Sequence, residues 1–181
     1  MRRSPITRHL PVLACVVGVG VLVASPALAG SDRVHVAGPL TRYDERVPGG
    51  ATATVDAAYT PAGDTVVTLQ VHGLLPDRSY GVHVNARPCG GEPGDAGPRF
   101  QAEPDPVQPS HDVHYANIHN EIWLDLTTDG EGDGEAQRRV AWQFWPEYRP
   151  RSVVVHARQT DWRPALAGKA GARLACINVP F

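Results

Sequence analysis

The stretch DTVVTLQVHGLLPDRSYGVHVNA (64–86) holds two apolar runs of strand length on either side of a turn. In the first run Val67, Leu69 and Val71 alternate with Thr68 and Gln70, the two-residue period of a half-buried strand. LLPDRS (74–79) supplies turn chemistry, because proline presets one backbone angle and aspartate bonds to nearby backbone groups. In YGVHVNA (80–86) the same period puts Val82 and Val84 on one side and His83 and Asn85 on the other. An imidazole and an amide therefore share a face, as half of a metal site would.

Outward from this stretch, ATATVDAAY (51–59), NEIWLDLTTD (120–129), AQRRVAWQFW (136–145), RSVVVHARQ (151–159) and ARLACINV (172–179) repeat the pattern, with PAGD (61–64) and DGEGDG (129–134) as further turns. No segment of ordinary helix length has both a helical period and caps. Seven or eight short strands at this spacing predict an antiparallel sandwich or barrel. Two connections are long, 87–120 and 159–172, and such loops in a compact domain usually carry function or are held by a bond or a metal. The first contains Cys89, His111, His114 and His119. Trp123, Trp142 and Trp145 fall in predicted strands and read as core or edge packing, and His72 as structural.

The chain starts with Arg2, Arg3 and Arg8, continues with an apolar run over 10–24, and reaches Ala27-Leu28-Ala29. That is the pattern of a secretory signal over 1–29, cut before Gly30. The run is shorter than the roughly 20 apolar residues of a transmembrane helix, and no later segment approaches that length. The remaining 30–181 is one domain by size, with material for its own core. Cleavage lowers Lys+Arg from 17 to 14 against 19 acids, a formal charge of −5, which weighs against a nucleic-acid partner. Cys15 leaves with the signal. Cys89 and Cys176 remain, an even pair in an oxidising compartment, so a disulfide is expected over two free thiols.

VHGLLPDRSYGVHVN (71–85), Cys89, AGPRF (96–100), VVVH (153–156) and GKAGARLAC (168–176) occur in an order and spacing that resembles the Cu/Zn superoxide dismutases, over roughly 54–179. The resemblance implies an eight-stranded antiparallel Greek-key barrel or sandwich with two long loops carrying a metal site, and a disulfide between Cys89 and Cys176. In that family copper is held by four histidines, one of them shared with zinc, and an arginine guides the superoxide anion. Carried over by position, His83 and His156 are retained copper-ligand positions and Arg173 is the guiding arginine. Asn85 and Arg99 stand where the second and the bridging histidine are expected.

These departures bear on the chemistry. An amide oxygen suits hard cations better than a copper ion that cycles between two states. A guanidinium has five donors, no acceptor, and keeps its proton. A unit charge about 4 Å from a divalent ion costs about 8 kcal/mol at an effective dielectric of about 20, or about six powers of ten in affinity if the side chain stays there. Loss of the bridging imidazole also argues against zinc. His111, His114, His119, Glu121 and Asp125 lie in the region of the other zinc ligands, with a spacing that assigns none of them.

The expected function is accordingly a secreted protein of superoxide dismutase type whose incomplete copper site leaves activity weak or lost, with superoxide as substrate where it acts. The alternatives are a non-catalytic β-barrel in which Arg99 and Asn85 fill the metal cavity with an acidic partner, and a copper-binding protein without turnover. A dismutase in which one of the loop histidines rescues the site completes the set.

Overall fold

The computed structural model describes residues 33–181; the signal expected over 1–29 lies outside the described residues. Among the described residues every regular element is a strand: β1 Arg33–Pro39, β2 Thr41–Arg42, β3 Thr52–Tyr59, β4 Thr65–His72, β5 Ser79–Tyr80, β6 Val82–Asn85, β7 Leu126–Thr127, β8 Gly134–Val140, β9 Ser152–His156 and β10 Arg173–Asn178. There is no helix among them long and apolar enough to cross a membrane.

Two four-stranded antiparallel sheets, β1-β3-β4-β8 and β2-β10-β9-β6, face each other, with β5 and β7 as a separate pair. The eight strands expected from the sequence thus form a sandwich, with no ladder among the described residues closing it into a barrel. The chain changes sheet between β1 and β2, between β2 and β3, between β4 and β6, between β6 and β8 and between β8 and β9. The first long loop follows β6 and the second joins β9 to β10 within the second sheet, and they meet where Arg99 Nη1 donates to the Gly168 carbonyl and His111 Nδ1 faces the Ala167 carbonyl.

The first sheet has one wet face and follows simple alternation. On β3 Ala53, Val55 and Ala57 are buried, and on β4 Thr65, Val67, Leu69 and Val71 are. The ladder pairs Val55 with Leu69, so apolar rows of neighbouring strands meet across it. β6 and β9 are buried at every position instead. Val82, Val84, Val153 and Val155 belong to the central core, whereas Val154 packs with Ala96 and Cys176 in a second cluster on the other face. The second sheet is therefore covered on both faces, once by the first sheet and once by the long loops.

Two segments depart from their expected form. Of 120–129, only Leu126 and Thr127 join a ladder; residues 122–124 run along the edge of β6 through Val84 N–H to the Ile122 carbonyl, Leu124 N–H to the Val82 carbonyl and a bridge between His83 and Trp123. The 136–145 run stops pairing at Val140. Past that point Trp142 and Phe144 turn inward onto Phe100, with Phe144 also on Phe181, while Trp145 stays 67% exposed and is neither core nor packed edge. β1 was not anticipated; its alternation is weak because Ala37, Gly38 and Pro39 end it, and it is a half-buried edge strand paired with β3.

The disulfide joins Cys89 to Cys176, 87 residues apart, and fixes the start of the first long loop to β10.

Candidate functional site

On the loop-covered face of the second sheet, β6 presents His83 and Asn85 and β9 presents His156. The two imidazole rings lie 4.7 Å apart between centroids. Asn85 forms a bridge to Arg99 in the first long loop, and Arg173 is paired with His156 across the β9–β10 ladder, where a bulge follows it. The structure thus brings His83, Asn85, Arg99, His156 and Arg173 to one place.

Hydrogen bonds fix both ring tautomers. The Asp125 carboxylate accepts from Val82 N–H at 3.1 Å, Thr160 N–H at 2.7 Å and the Thr160 hydroxyl at 2.7 Å. With its O–H donating a hydrogen bond to Asp125, the Thr160 oxygen accepts from His83 Nε2–H at 2.7 Å. Nδ1 of a neutral His83 is then a lone pair. His156 Nδ1–H donates to the Gly171 carbonyl at 3.2 Å, so its lone pair is on Nε2. His83 Nδ1, His156 Nε2 and Asn85 Oδ1 are all buried without a hydrogen-bond partner among the described residues. Asn85 Nδ2 donates to the Gly97 carbonyl at 3.0 Å, which leaves its oxygen as the unpaired end.

Burial drives the His83 pKa well below the usual value, and the neighbouring His156, Arg99 and Arg173 lower it further. Burial also pushes His156 down to about 4, against a raising contribution from the Gly171 carbonyl. Both rings are neutral in the folded chain and gain protons when it unfolds at acid pH. The metal-free protein is thus expected to keep its stability above pH about 6.5 and lose about 3 kcal/mol from His156 alone as pH falls toward 4. Denaturant midpoints of wild type and His156→Gln across that window check this, with the acid loss smaller in the variant.

Arg99 is anchored by three contacts. Its Nε donates to Glu121 at 2.6 Å, Nη1 to the Gly168 carbonyl at 3.0 Å and Nη2 to the Ser110 carbonyl at 2.6 Å. Glu121 is 1% exposed and also accepts from Trp123 Nε1 at 2.6 Å and Gln101 Nε2 at 2.7 Å. The arginine is thus paired, and the repulsion expected from a bare charge is offset by an adjacent carboxylate. Arg173 donates to the carbonyls of Pro93 at 2.8 Å and Gly97 at 2.6 Å, and burial lowers its pKa.

Gly168 lies against the Arg99 guanidinium with φ of 76°, and a β-carbon there would run into that group. Gly168→Ala is expected to cost about 1–3 kcal/mol through left-handed strain and displacement of Arg99. Gly91→Ala, in open space, is the matched control and should change the denaturation midpoint little.

His111 Nδ1 faces the Ala167 carbonyl at 3.0 Å, and His114 and His119 are exposed on the loop. Among the described residues no three His, Cys, Asp or Glu side chains gather as a group able to hold a metal. Sequence reasoning missed Thr160 and Gly168 and left Asp125 and Glu121 without roles. No spacing rule links residues 22 to 77 positions apart, although a buried guanidinium does call for an acid somewhere.

The sequence matches the copper/zinc superoxide dismutase family over residues 50–179. The chain belongs to that family. A solved structure described as "Crystal Structure Analysis of the clock protein EA4" is similar in fold, with a TM-score of 0.57 and 17% identity over 86% of this chain and 98% of that one. No curated protein matches the chain.

The copper–zinc pair of the family meets an unequal reception in this member. The paired guanidinium of Arg99 offers no lone pair, and the loop histidines do not converge, so the donor set does not fit two metals. Two buried imidazole lone pairs, on His83 and His156, are the nitrogen donors that this pocket offers a metal.

Proposed function

We propose that this chain is a secreted member of the copper/zinc superoxide dismutase family in which dismutation of superoxide is weak or lost. One observation carries the reading. Arg99, at the position where the family has its bridging imidazole, is engaged through Nε, Nη1 and Nη2 by Glu121, Gly168 and Ser110. A side chain held by a buried carboxylate does not swing out at small cost. Copper, when bound, would supply one-electron chemistry toward superoxide. The protein's own residues contribute two imidazoles, His83 and His156, and the nearby charge of Arg173 for attracting an anion. Asn85 offers only an amide oxygen. Secretion is supported by the signal pattern over 1–29 and by a disulfide of the kind that persists in oxidising compartments.

Copper-loaded wild-type protein is expected to dismutate superoxide little faster than buffer containing the same protein without metal. Asn85→His combined with Arg99→His should raise copper affinity and create or increase dismutation. Wild-type turnover at ordinary dismutase rates would contradict the reading, and a double variant with no gain would contradict the positional carry-over of Asn85 and Arg99.

A further inference from the structure

We infer that the cavity between β8 and the start of the second long loop binds a small carboxylate carried on a flat aromatic body, with Arg138 pairing the carboxylate and Trp162 stacking on the ring. It needs no metal, so it stands or falls apart from the reading above.

The place of Arg138 in its strand is unusual. β8 is the last strand of the first sheet, and its inward row runs Ala136, Arg138, Val140, with Ala136 and Val140 against the central core. An alternating strand of this kind keeps its charges for the wet row. Arg139 does so: it is exposed and pairs with Asp64 at 3.3 Å. Arg138 is half-buried, and its one hydrogen bond among the described residues runs from Nε to the Trp123 carbonyl at 3.5 Å. Nη1 and Nη2 have no hydrogen bond and no carboxylate beside them among the described residues. A guanidinium so placed has lost part of its water without gaining a counter-charge.

Arg138 lines a cavity of about 290 Å³. That is close to the lower bound of small-ligand pockets, roughly 300 Å³. Ile118, Trp123, Ala136 and Trp162 supply its apolar wall. Trp123 is nearly buried and spends its Nε1–H on Glu121, whereas Trp162 is 78% exposed and keeps its indole available for stacking. The wall holds one acid, Asp125, whose oxygens accept from Val82 N–H, Thr160 N–H and the Thr160 hydroxyl. That hydroxyl in turn accepts from His83. The acid is satisfied by its own segment and the arginine is not.

These features select the class of ligand. Two free N–H pairs on a planar fork match the two oxygens of a carboxylate, and such charge-assisted bidentate pairs are the strong ones. The two indoles and two aliphatic side chains match a flat apolar body. A neutral sugar would stack on Trp162 and leave Arg138 unbalanced. A bare anion would pair with Arg138 and leave the apolar wall wet.

The test uses the mature full-length protein with benzoate, 3-phenylpropionate and indole-3-acetate as probes, read by calorimetry and by the tryptophan indole N–H signals in NMR. At least one probe is expected to bind once per chain with Kd of about 1 mM or tighter and to shift the Trp162 signal. The corresponding neutral amide, and acetate, which has no ring, should each bind at least about 10-fold more weakly. Arg138→Gln should weaken binding about 10–100-fold. Trp162→Ala should weaken it about 2–10-fold. Arg139→Gln, on the opposite face of the same strand, should leave it unchanged. Circular dichroism identifies any variant that has failed to fold, and Trp162→Ala, which removes only an exposed ring, then carries the comparison. No binding by any of the three probes, equal binding of the amide or of acetate, glucose binding as tightly as the carboxylates, or unchanged affinity in folded Arg138→Gln or Trp162→Ala would each overturn the inference.

Discussion

Glu121→Ala is expected to cost about 3–5 kcal/mol, because it leaves the Arg99 guanidinium embedded in the protein with its charge unbalanced. Glu121 is 1% exposed and the Arg99 side chain 12%, so water cannot replace the lost carboxylate easily. The same substitution removes the acceptor of Trp123 Nε1 and of Gln101 Nε2. For a domain of this size each kcal/mol moves the thermal midpoint by about 2–4 °C, so a fall of about 10–15 °C is expected. Arg99→Met is the informative partner. Removing both charges should cost less than the sum of the single changes, with a coupling of at least about 1 kcal/mol in a double-mutant cycle. A loss below 1 kcal/mol in Glu121→Ala would mean that the pair is not held as described.

Removing the Cys89–Cys176 bond is expected to cost about 4–5 kcal/mol by the chain-entropy argument, since it closes a segment of nearly 90 residues. Cys176 is fully buried with Val154 and Ala96 behind it, and Cys89 N–H donates to Asn178 Oδ1 at 2.7 Å. The bond thus holds the beginning of the first long loop against β10, and the rest of that loop reaches Arg99. Cys89→Ala with Cys176→Ala avoids placing a hydroxyl in the apolar pocket. Its denaturant midpoint should match that of wild type under strong reductant, and both should lie far below that of oxidised wild type. Equal midpoints with and without reductant would show that the loop is fixed by other contacts.

The limits of sequence reading follow from what periodicity encodes. β3 and β4 alternate because one face of their sheet is wet, and their strands were legible almost to the residue. The buried run VHVN was legible as a strand, yet its outer face is covered by loops whose course no local pattern specifies. NEIWLDLTTD has the composition of a strand but spends its backbone bonds irregularly along the edge of β6. Trp145 carries the hydrophobicity of a core residue and lies in solvent because the ladder ends at Val140.

The structure gathers His83, Asn85, Arg99, His156 and Arg173, which motif resemblance groups together, and it forms the Cys89–Cys176 bond that resemblance and compartment together lead one to expect. The need for an acid beside Arg99 was legible from charge alone; its identity as Glu121 was not, since two loops must close before the two side chains meet. The Asp125–Thr160–His83 chain spans three separate segments and gave no local signal.

We propose that a carboxylate-paired arginine and an amide occupy two positions where the family has imidazoles, with room for at most one metal and little turnover. Metal analysis of the purified mature protein, grown with copper and zinc in excess and assayed for dismutation in the same preparation, tests it most directly. No more than one copper per chain, no stoichiometric zinc and dismutation near background are expected. One copper and one zinc per chain with fast turnover would contradict it.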